Sequence, residues 1–464
     1  MDGDDDAHGS TRGSCSSCRP SAPGAGRVGP AVFRRRARPS PDAAWNEGSA
    51  TSSRRVNENS QQYHYGSGHS EVKANGVALL TSNFPPNVGG IASMLYDIAR
   101  CFPPEKMEVV GLPVAGWRVF DAQQHFSIRR LRIPQEWGSF SPQYKWLAPY
   151  YFSELVKGRV PSYVLCGAAH HTLVLPAMLL HALNGTPFGV FAYGSDILGP
   201  QRRAYKTLFN SMIRSAESVF VISQFTRDKA IGMGLESEKV HVIHPTVDPY
   251  RLAARVPPKS LKNRLHLDGK RVILTVGSLV ERKGHDVVIR ALPEILTHIP
   301  EAHYVIVGTG PREGYLRELV RDLLLGSRVT FVGLVPERDL GSYYAACDVF
   351  AMISREIPGR GDAEGFGIVY LEANLFGKPV VAGRSGGVQD AVCDGLTGIL
   401  VDPQEPADVA KAIVGLLRTP GLAKRLGERG RRRAVEEFDG KVASQKLLAL
   451  LSSYCSAEHQ DQLL

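Results

Sequence analysis

DAEGFGIVYLEANLFGKPVVAGRSGG, Asp362 to Gly387, reads as loop, helix and strand in turn. Gly365 and Gly367 allow the backbone to turn tightly and to lie close to a ligand. A helix is expected from about Phe366, with Glu372 in its second turn, and PVVAG (Pro379–Gly383) is a short apolar strand. VFAMIS (Val349–Ser354) just upstream is another strand, so Glu364 falls in a loop at a strand end.

The same alternation extends in both directions. RVILTVG (Arg271–Gly277), HYVIVG (His303–Gly308), RVTFVG (Arg328–Gly333) and GILV (Gly398–Val401) are further strands with helical stretches between them. Upstream come VALLT (Val77–Thr81), MEVVGL (Met107–Leu112), YVLCG (Tyr163–Gly167), FGVFAY (Phe188–Tyr193), SVFVIS (Ser218–Ser223) and VHVIH (Val240–His244). Short apolar strands alternating with amphipathic helices imply parallel sheets covered on both faces. A polar, proline-bearing stretch from His244 to Ser260 has no periodicity and separates the two series. The expected fold class is therefore α/β: two Rossmann-like, doubly wound domains facing each other across a cleft.

The expected division is a disordered tail over 1–70, an N-terminal Rossmann-like domain over 71–247 and a linker over 248–260. A C-terminal Rossmann-like domain over 261–435 and a helical segment over 436–464 complete it, with Lys441–Leu451 packing back across the domain junction. The tail is rich in Ser, Gly, Pro, Arg and Asp and cannot bury enough apolar surface to offset ordering; Arg34–Arg36 belong to it. Open α/β sheets bind ligands beyond the carboxyl ends of their strands, so the cleft between the domains is the natural site.

With 464 residues, 43% of them hydrophobic, the chain is large enough for two cores of ordinary size. A formal charge of +9 favours anionic partners, whether nucleotides, lipid headgroups or nucleic acid, without choosing among them. The seven cysteines are scattered. Cys15 and Cys18 form a lone CxxC without a second pair at zinc spacing, and Cys166, Cys347 and Cys393 sit in apolar surroundings. This usage points to a reducing, cytoplasmic setting. The longest apolar run, Leu173–Leu183, is short for a membrane span and is interrupted by Pro176 and His181. The first residues are acidic and lack the apolar core of a secretory signal.

Three motifs carry chemistry. Glu364 in the loop and Glu372 one turn into the helix address different parts of one extended ligand, and the helix N-terminus suits a pyrophosphate. GSLVERKGHD (Gly277–Asp286) follows the first strand of the second series and brings Arg282 and Lys283 to the cleft, where they can clamp and neutralise a departing diphosphate. Gly89–Gly90 follows the first strand of the chain and can present backbone N–H groups to a phosphate. GTGP (Gly308–Pro311) and RSGG (Arg384–Gly387) are further glycine turns at strand ends. On the residues alone, a capping and a surface glutamate, or a solvated basic turn, would read the same way.

Taken together, the E-x7-E of Glu364 and Glu372, RKG, SGG and DGLTGILVDP resemble family 4 of the retaining glycosyltransferases, which have the GT-B fold. GG, CGAA, YGSD and SQFTRDKA add a looser N-terminal match, and the resemblance spans roughly residues 75–435. It implies that Glu364 holds hexose hydroxyls, Glu372 binds the ribose, and Lys283 with Arg282 stabilises the departing diphosphate. Gly89 and Gly90 would approach that diphosphate from the other domain. Gly365, Phe366 and Gly367 would line the donor, and the main chain around Gly333 and Leu334 would hold the base. GDAEGFGIVYLEA, GAA and SQFTRDK are most similar to the phosphatidylinositol mannosyltransferases. That similarity implies GDP-mannose, or else a UDP-sugar, as donor and a glycan or lipid-linked acceptor.

The resemblance also implies no cofactor, no metal and no nucleic acid, with action at the inner face of the membrane through peripheral contact. The only DxD-like sequence, Asp2–Asp6, is in the tail. Two positions depart from the family pattern: Ser278 stands where an arginine is common, and Tyr193 where a histidine is common. His170 and His171 nearby read as structural. RRAYKTLFNSMIR (Arg202–Arg214) puts Tyr205, Leu208, Phe209 and Met212 on one helical face, which suggests either lipid attachment or packing on the sheet. A nucleotide-sugar epimerase on a similar fold and a basic nucleic-acid-binding protein are the competing readings.

Overall fold

In a computed structural model of the protein, residues 76–87, 89–134, 142–157, 160–198 and 210–455 are described. The tail over 1–70, the Cys15–Cys18 pair, Arg34–Arg36 and the Arg202–Phe209 part of the segment Arg202–Arg214 lie outside these residues.

The first series of apolar runs forms β1 (Val77–Thr81), β2 (Met107–Gly111), β3 (Ser127–Arg130), β4 (Tyr163–Cys166), β5 (Phe188–Ala192), β6 (Ser218–Val221) and β7 (Val240–Val242). They make a seven-stranded parallel sheet in the order β3-β2-β1-β4-β5-β6-β7. Every residue of β1, β4, β5 and β6 is buried, because helices cover both faces. The second series forms β8 (Arg271–Val276), β9 (Ala302–Val307), β10 (Val329–Gly333), β11 (Val349–Met352), β12 (Val380–Gly383) and β13 (Ile399–Val401). Its six strands are also parallel, in the order β10-β9-β8-β11-β12-β13. In each sheet the winding reverses beside the first strand, between β1 and β4 and between β8 and β11. The loops that leave β1 and β8 therefore open at a topological switch point.

Strand β3 is absent from the sequence reading. Its SIRR sequence is polar, and Arg130 is buried only because Asp121 (2.7 Å) and the carbonyls of Leu112 (2.9 Å) and Pro85 (2.7 Å) accept from its guanidinium. Cys166 and Cys347 are core residues as expected, whereas Cys393 is half-buried. The interrupted run Leu173–Leu183 is one continuous helix, His171–Asn184, which carries Pro176 inside it. No described helix is long and apolar enough to cross a membrane.

Two apolar clusters each fill one face of one sheet. A third runs from β1 and β2 through the region between the sheets to β8, β11 and β12, so the halves share a packed junction. The last described helix, Gly440–Cys455, contributes Ala443, Leu447 and Leu451 to it and packs on the helix Gly90–Cys101 of the first half. Gly440 permits the approach, since a Cβ there would sit 2.8 Å from the Asp97 carbonyl. The chain thus crosses back over the junction after completing the second sheet.

Leu447 is fully buried in this shared cluster. Leu447→Ala is expected to cost about 2–5 kcal/mol of stability, read as a lower urea midpoint. An unchanged midpoint would show that the last helix adds nothing to the core.

Candidate active site

A cavity of about 690 Å³ opens between the halves, lined from the first by Gly90, Ile91, Met94, Tyr193, Gly194, Ile222 and Pro245. The second half contributes Arg282 and an unbroken wall from Arg360 to Ile368. Five residues singled out from sequence therefore meet around one space with Gly90: Arg282, Glu364, Gly365, Phe366 and Gly367.

The turn after β8 is a short 3-10 helix, Glu281–Lys283, closed by Gly284 with φ 67°. Left-handed backbone favours glycine there, and a Cβ would collide with the Ile353 carbonyl at the end of β11. The two strand ends are tied further by Arg355, whose N–H donates to the Arg282 carbonyl (2.8 Å) and whose guanidinium grips both Asp286 oxygens (3.0 and 3.1 Å). This fixes Lys283 and Arg282 over the loop that carries Glu364. Lys283 Nζ donates to Glu364 Oε2 at 2.6 Å, Arg282 Nη1 to the same oxygen at 3.1 Å, and Arg282 Nε pairs with Asp362 at 2.9 Å. Burial pushes the Glu364 carboxyl toward neutrality, but Lys283 and Arg282 outweigh it and hold its pKa below the usual value.

The RSGG turn supports this loop from below. The Gly387 N–H donates to the Glu364 carbonyl at 2.9 Å. A Cβ on Gly386 or Gly387 would collide with the carbonyls of Glu364 and Gly365 respectively. Both glycines are therefore demanded by close backbone packing under the site.

The helix carrying Glu372 runs from Ile368 to Leu375, two residues later than the sequence suggests, because Gly367 (φ 90°) is still outside it. Neither this helix nor Gly90–Cys101 has a side-chain N-cap or an acidic residue in its first turn. The two N-termini lie side by side in the cavity wall: a Cβ on Gly90 would lie 4.0 Å from Ile368 Cγ2. Each offers free N–H groups and the positive end of a helix dipole, so an anion between them is stabilised from both halves. Gly89, at φ 148° and exposed, is the residue that turns the chain into the first of these helices.

Glu372 lies deeper. Tyr344 donates to its Oε2 at 2.6 Å, and burial raises its pKa despite that bond. Gly333 and Leu334 are apart from the cavity wall: Gly333 ends the edge strand β10 and its carbonyl accepts from Gly308 N–H (2.8 Å), while Leu334 is 82% exposed. The GTGP turn packs against the β8 end, where a Cβ on Gly308 would collide with the Gly277 carbonyl.

Tyr193 lines the cavity, yet its hydroxyl donates to the Gly167 carbonyl at 3.1 Å and burial raises its pKa well above the ordinary value. His170 caps the helix His171–Asn184 and bonds Thr172 Oγ1 (2.9 Å), and burial lowers its pKa to about 4. Ser278 spends its carbonyl on His285 Nε2 at 3.2 Å. Sequence reasoning missed Tyr344, Ser354 and Arg360. Tyr344 and Ser354 act on the two glutamates from other elements, and no spacing announces such pairs. Among the described residues no group of three or more His, Cys, Asp or Glu is placed to hold a metal ion.

Two family models match the chain: "Glycosyltransferase Family 4" over residues 88–251 and "Glycosyl transferases group 1" over residues 258–433. A GDP-mannose-dependent alpha-(1-6)-phosphatidylinositol monomannoside mannosyltransferase of Mycolicibacterium smegmatis is 35% identical over 379 residues, covering 81% of this chain and 98% of that protein. The enzyme of the same description from Mycobacterium tuberculosis is 28% identical over 383 residues, covering 81% and 97%. Among solved structures, Anabaena HepE in complex with UDP and glucose superposes with a TM-score of 0.65 at 23% identity, covering 81% of this chain and 99% of that one. Sucrose-phosphate synthase of Thermosynechococcus elongatus gives 0.63 at 21% identity, covering 81% and 98%. The two parallel α/β sheets are those of the GT-B fold.

Two outcomes follow from this geometry. Because the folded pKa of Glu364 is depressed, the stability it contributes is present above its unfolded pKa and is lost as pH falls through the folded value. Lys283→Met removes the nearer cation, so the variant should be less stable at neutral pH, toward the lower end of about 3–5 kcal/mol because Arg282 remains. That deficit should shrink as the solution is acidified through the carboxylate range; a deficit independent of pH would show that Lys283 does not govern Glu364. Tyr193→Phe should cost about 1 kcal/mol of stability for its lost hydrogen bond and leave the pH–rate profile unchanged. A shifted profile would make the phenol a participant in proton transfer.

Proposed function

This chain belongs to the family 4 glycosyltransferases, and we propose that it transfers mannose from GDP-mannose to a lipid-linked acceptor with retention of configuration and without a metal ion. The observation that carries the reading is the pair of adjoining helix N-termini, one from each half, at the cavity that Arg282 also lines. One N-terminus comes from each half, and the two cations, held on Glu364, come from the second. The donor and acceptor classes are taken from the relatives, whose names specify GDP-mannose and a phosphatidylinositol mannoside. The epimerase and nucleic-acid readings give way to glycosyl transfer. The proposed setting is the cytoplasmic face of a membrane.

In the proposed reaction the bond between the anomeric carbon and the diphosphate oxygen breaks. The acceptor hydroxyl bonds to the same face of that carbon, and its proton passes to the departing diphosphate. Charge therefore grows on the diphosphate in the transition state, and preorganised cations there lower the barrier more than a strong base would. Lys283, Arg282 and the backbone around Gly89 and Gly90 fill that role, so no divalent ion is needed. Glu364 orients hexose hydroxyls, with Gly365, Phe366 and Gly367 along the donor. Glu372 holds the ribose, its carboxylate fixed by Tyr344. The main chain at Gly333 and Leu334 is assigned the base.

These roles separate kinetically. Lys283→Ala should lower kcat by about 10²–10³-fold, the loss typical of one preorganised stabilising group. Glu372→Gln should chiefly raise the donor KM, since the ribose changes little during reaction. Glu364→Gln should alter both and relax the choice of sugar. Steady-state transfer from GDP-mannose to lipid extract, with and without EDTA, reads all three. Near-normal kcat and KM in every variant would refute this site, and activity lost in EDTA and restored by manganese would refute metal independence.

A further inference from the structure

Among the described residues two arginines line the cavity, and they are held differently. Arg282 is paired with two carboxylates of the site loop, Asp362 (2.9 Å) and Glu364 (3.1 Å). Arg360 Nη1 donates to Glu281 Oε2 at 3.2 Å, and the same oxygen lies 3.3 Å from Arg312 Nη1. One carboxylate oxygen therefore serves two guanidiniums. Arg312 is also seated over the Tyr315 ring, 4.2 Å from its centroid, so it would keep Glu281 neutralised if Arg360 turned away. The Arg360 side chain is 69% exposed, and an exposed pair of this kind does little to hold a long side chain in one place.

The loop leaves this side chain room to take another partner. Its base is fixed: Ile357 N–H donates to the Asp362 carbonyl (2.9 Å), and the Asp362 carboxylate is bound to Arg282. Its tip is open: Gly359 (φ 74°) and Gly361 (φ 59°) flank Arg360 in left-handed backbone, and a Cβ on Gly359 would meet nothing within 4 Å. Side-chain exposure rises from 11% at Lys283 through 26% at Arg282 to 69% at Arg360. The cations are thus graded from the floor of the cleft, to which the donor diphosphate is assigned, out to its mouth.

We propose that Arg360 exchanges Glu281 for the phosphodiester of an anionic acceptor headgroup and so forms a second anion position, at the mouth of the cleft. A planar guanidinium matches the two free oxygens of a phosphodiester in a bidentate pair. Arg360 is four residues before Glu364, which sets their Cα atoms at most about 14 Å apart. A polyol headgroup held at Arg360 by its phosphate can therefore still bring a hydroxyl to the transferred sugar beside Glu364. The donor diphosphate has its own partners in the two helix N-termini, Lys283 and Arg282, and leaves Arg360 unclaimed. The choice of a phosphodiester as the anion rests on the lipid-acceptor reading above; the under-neutralised cation at the cavity mouth does not.

The test is calorimetric titration of the full chain with glycerophosphoinositol, alone and with GDP at saturation. The control ligand is myo-inositol, the same polyol without its phosphate. Wild type should bind glycerophosphoinositol whether or not GDP is present. Arg360→Ala should bind it about tenfold more weakly, the loss expected for a hydrogen-bonded charge pair, and Arg360→Lys should fall between the two because an ammonium cannot pair bidentately. Affinity for GDP and the urea midpoint should be unchanged in both variants, which shows that they are folded. In transfer to lipid extract, Arg360→Ala should raise the acceptor KM and leave the donor KM alone. Equal headgroup affinity in wild type and Arg360→Ala, or no headgroup binding by wild type, would overturn the proposal. So would headgroup binding that GDP abolishes, since the phosphate would then occupy the donor's position, and so would an equal loss of myo-inositol binding. Absence of any transfer from GDP-mannose would count against the glycosyl-transfer reading, while the headgroup titration would still decide the role of Arg360.

Discussion

A carboxylate placed in a buried cleft has to be neutralised where it lies, and Glu364 meets that condition by accepting from Lys283 and Arg282. The arrangement around it follows from this requirement. The two cations sit on a turn after β8 and the glutamate on a loop after β11, so the ends of adjacent strands must approach closely. Gly284 removes the side chain that would strike Ile353, and Arg355 bridges the two loops through Asp286. Gly386 and Gly387 let the turn after β12 slide beneath the Glu364 carbonyl. Three strand ends thereby converge on one ion-paired carboxylate, and the site inherits the rigidity of the sheet.

The first half is joined to this assembly by contacts that leave little slack. Gly365 has only 2.9 Å between its would-be Cβ and Ile222, a residue of the other half. Gln224 N–H (2.6 Å) and His244 Nε2 (3.2 Å) both contact Asp390 Oδ2 across the junction. The His244, Phe366 and Phe438 rings pack at tilted angles into one cluster, with centroids 5.5–5.6 Å apart. At the far side Arg251 of the connecting segment pairs with Glu337 (3.1 Å) and faces buried Asp97 (4.0 Å) on the helix whose N-terminus enters the cleft. The connecting segment is thus tied by charge to the body of that helix.

Much of the fold was legible because parallel strands buried on both faces must be almost wholly apolar, and runs such as VALLT and RVILTVG cannot be much else. Strand β3 escaped for the converse reason: its burial rests on ion pairing by Arg130, which hydropathy does not register. In the site, Glu364, Lys283 and the glycine turns were legible from type and spacing. Tyr344 was not, since its bond to Glu372 joins two helices and depends on how they cross. Gly333 and Leu334 were named from the family pattern alone, and the structure leaves them at the end of an edge strand and just beyond it, outside the cavity wall.

The helix Gly440–Cys455 has a bearing on how the protein is made. Its leucines complete an apolar cluster that β1 and the helix Gly90–Cys101 begin at the opposite end of the described chain. During synthesis the first sheet emerges early but keeps part of its core open until the last helix leaves the ribosome. Closure of the shared cluster therefore waits for Gly440–Cys455, which follows both sheets in the chain. That interval favours a chaperone that shields apolar helices, because the face of each sheet that belongs to the shared cluster stays open until this helix is made.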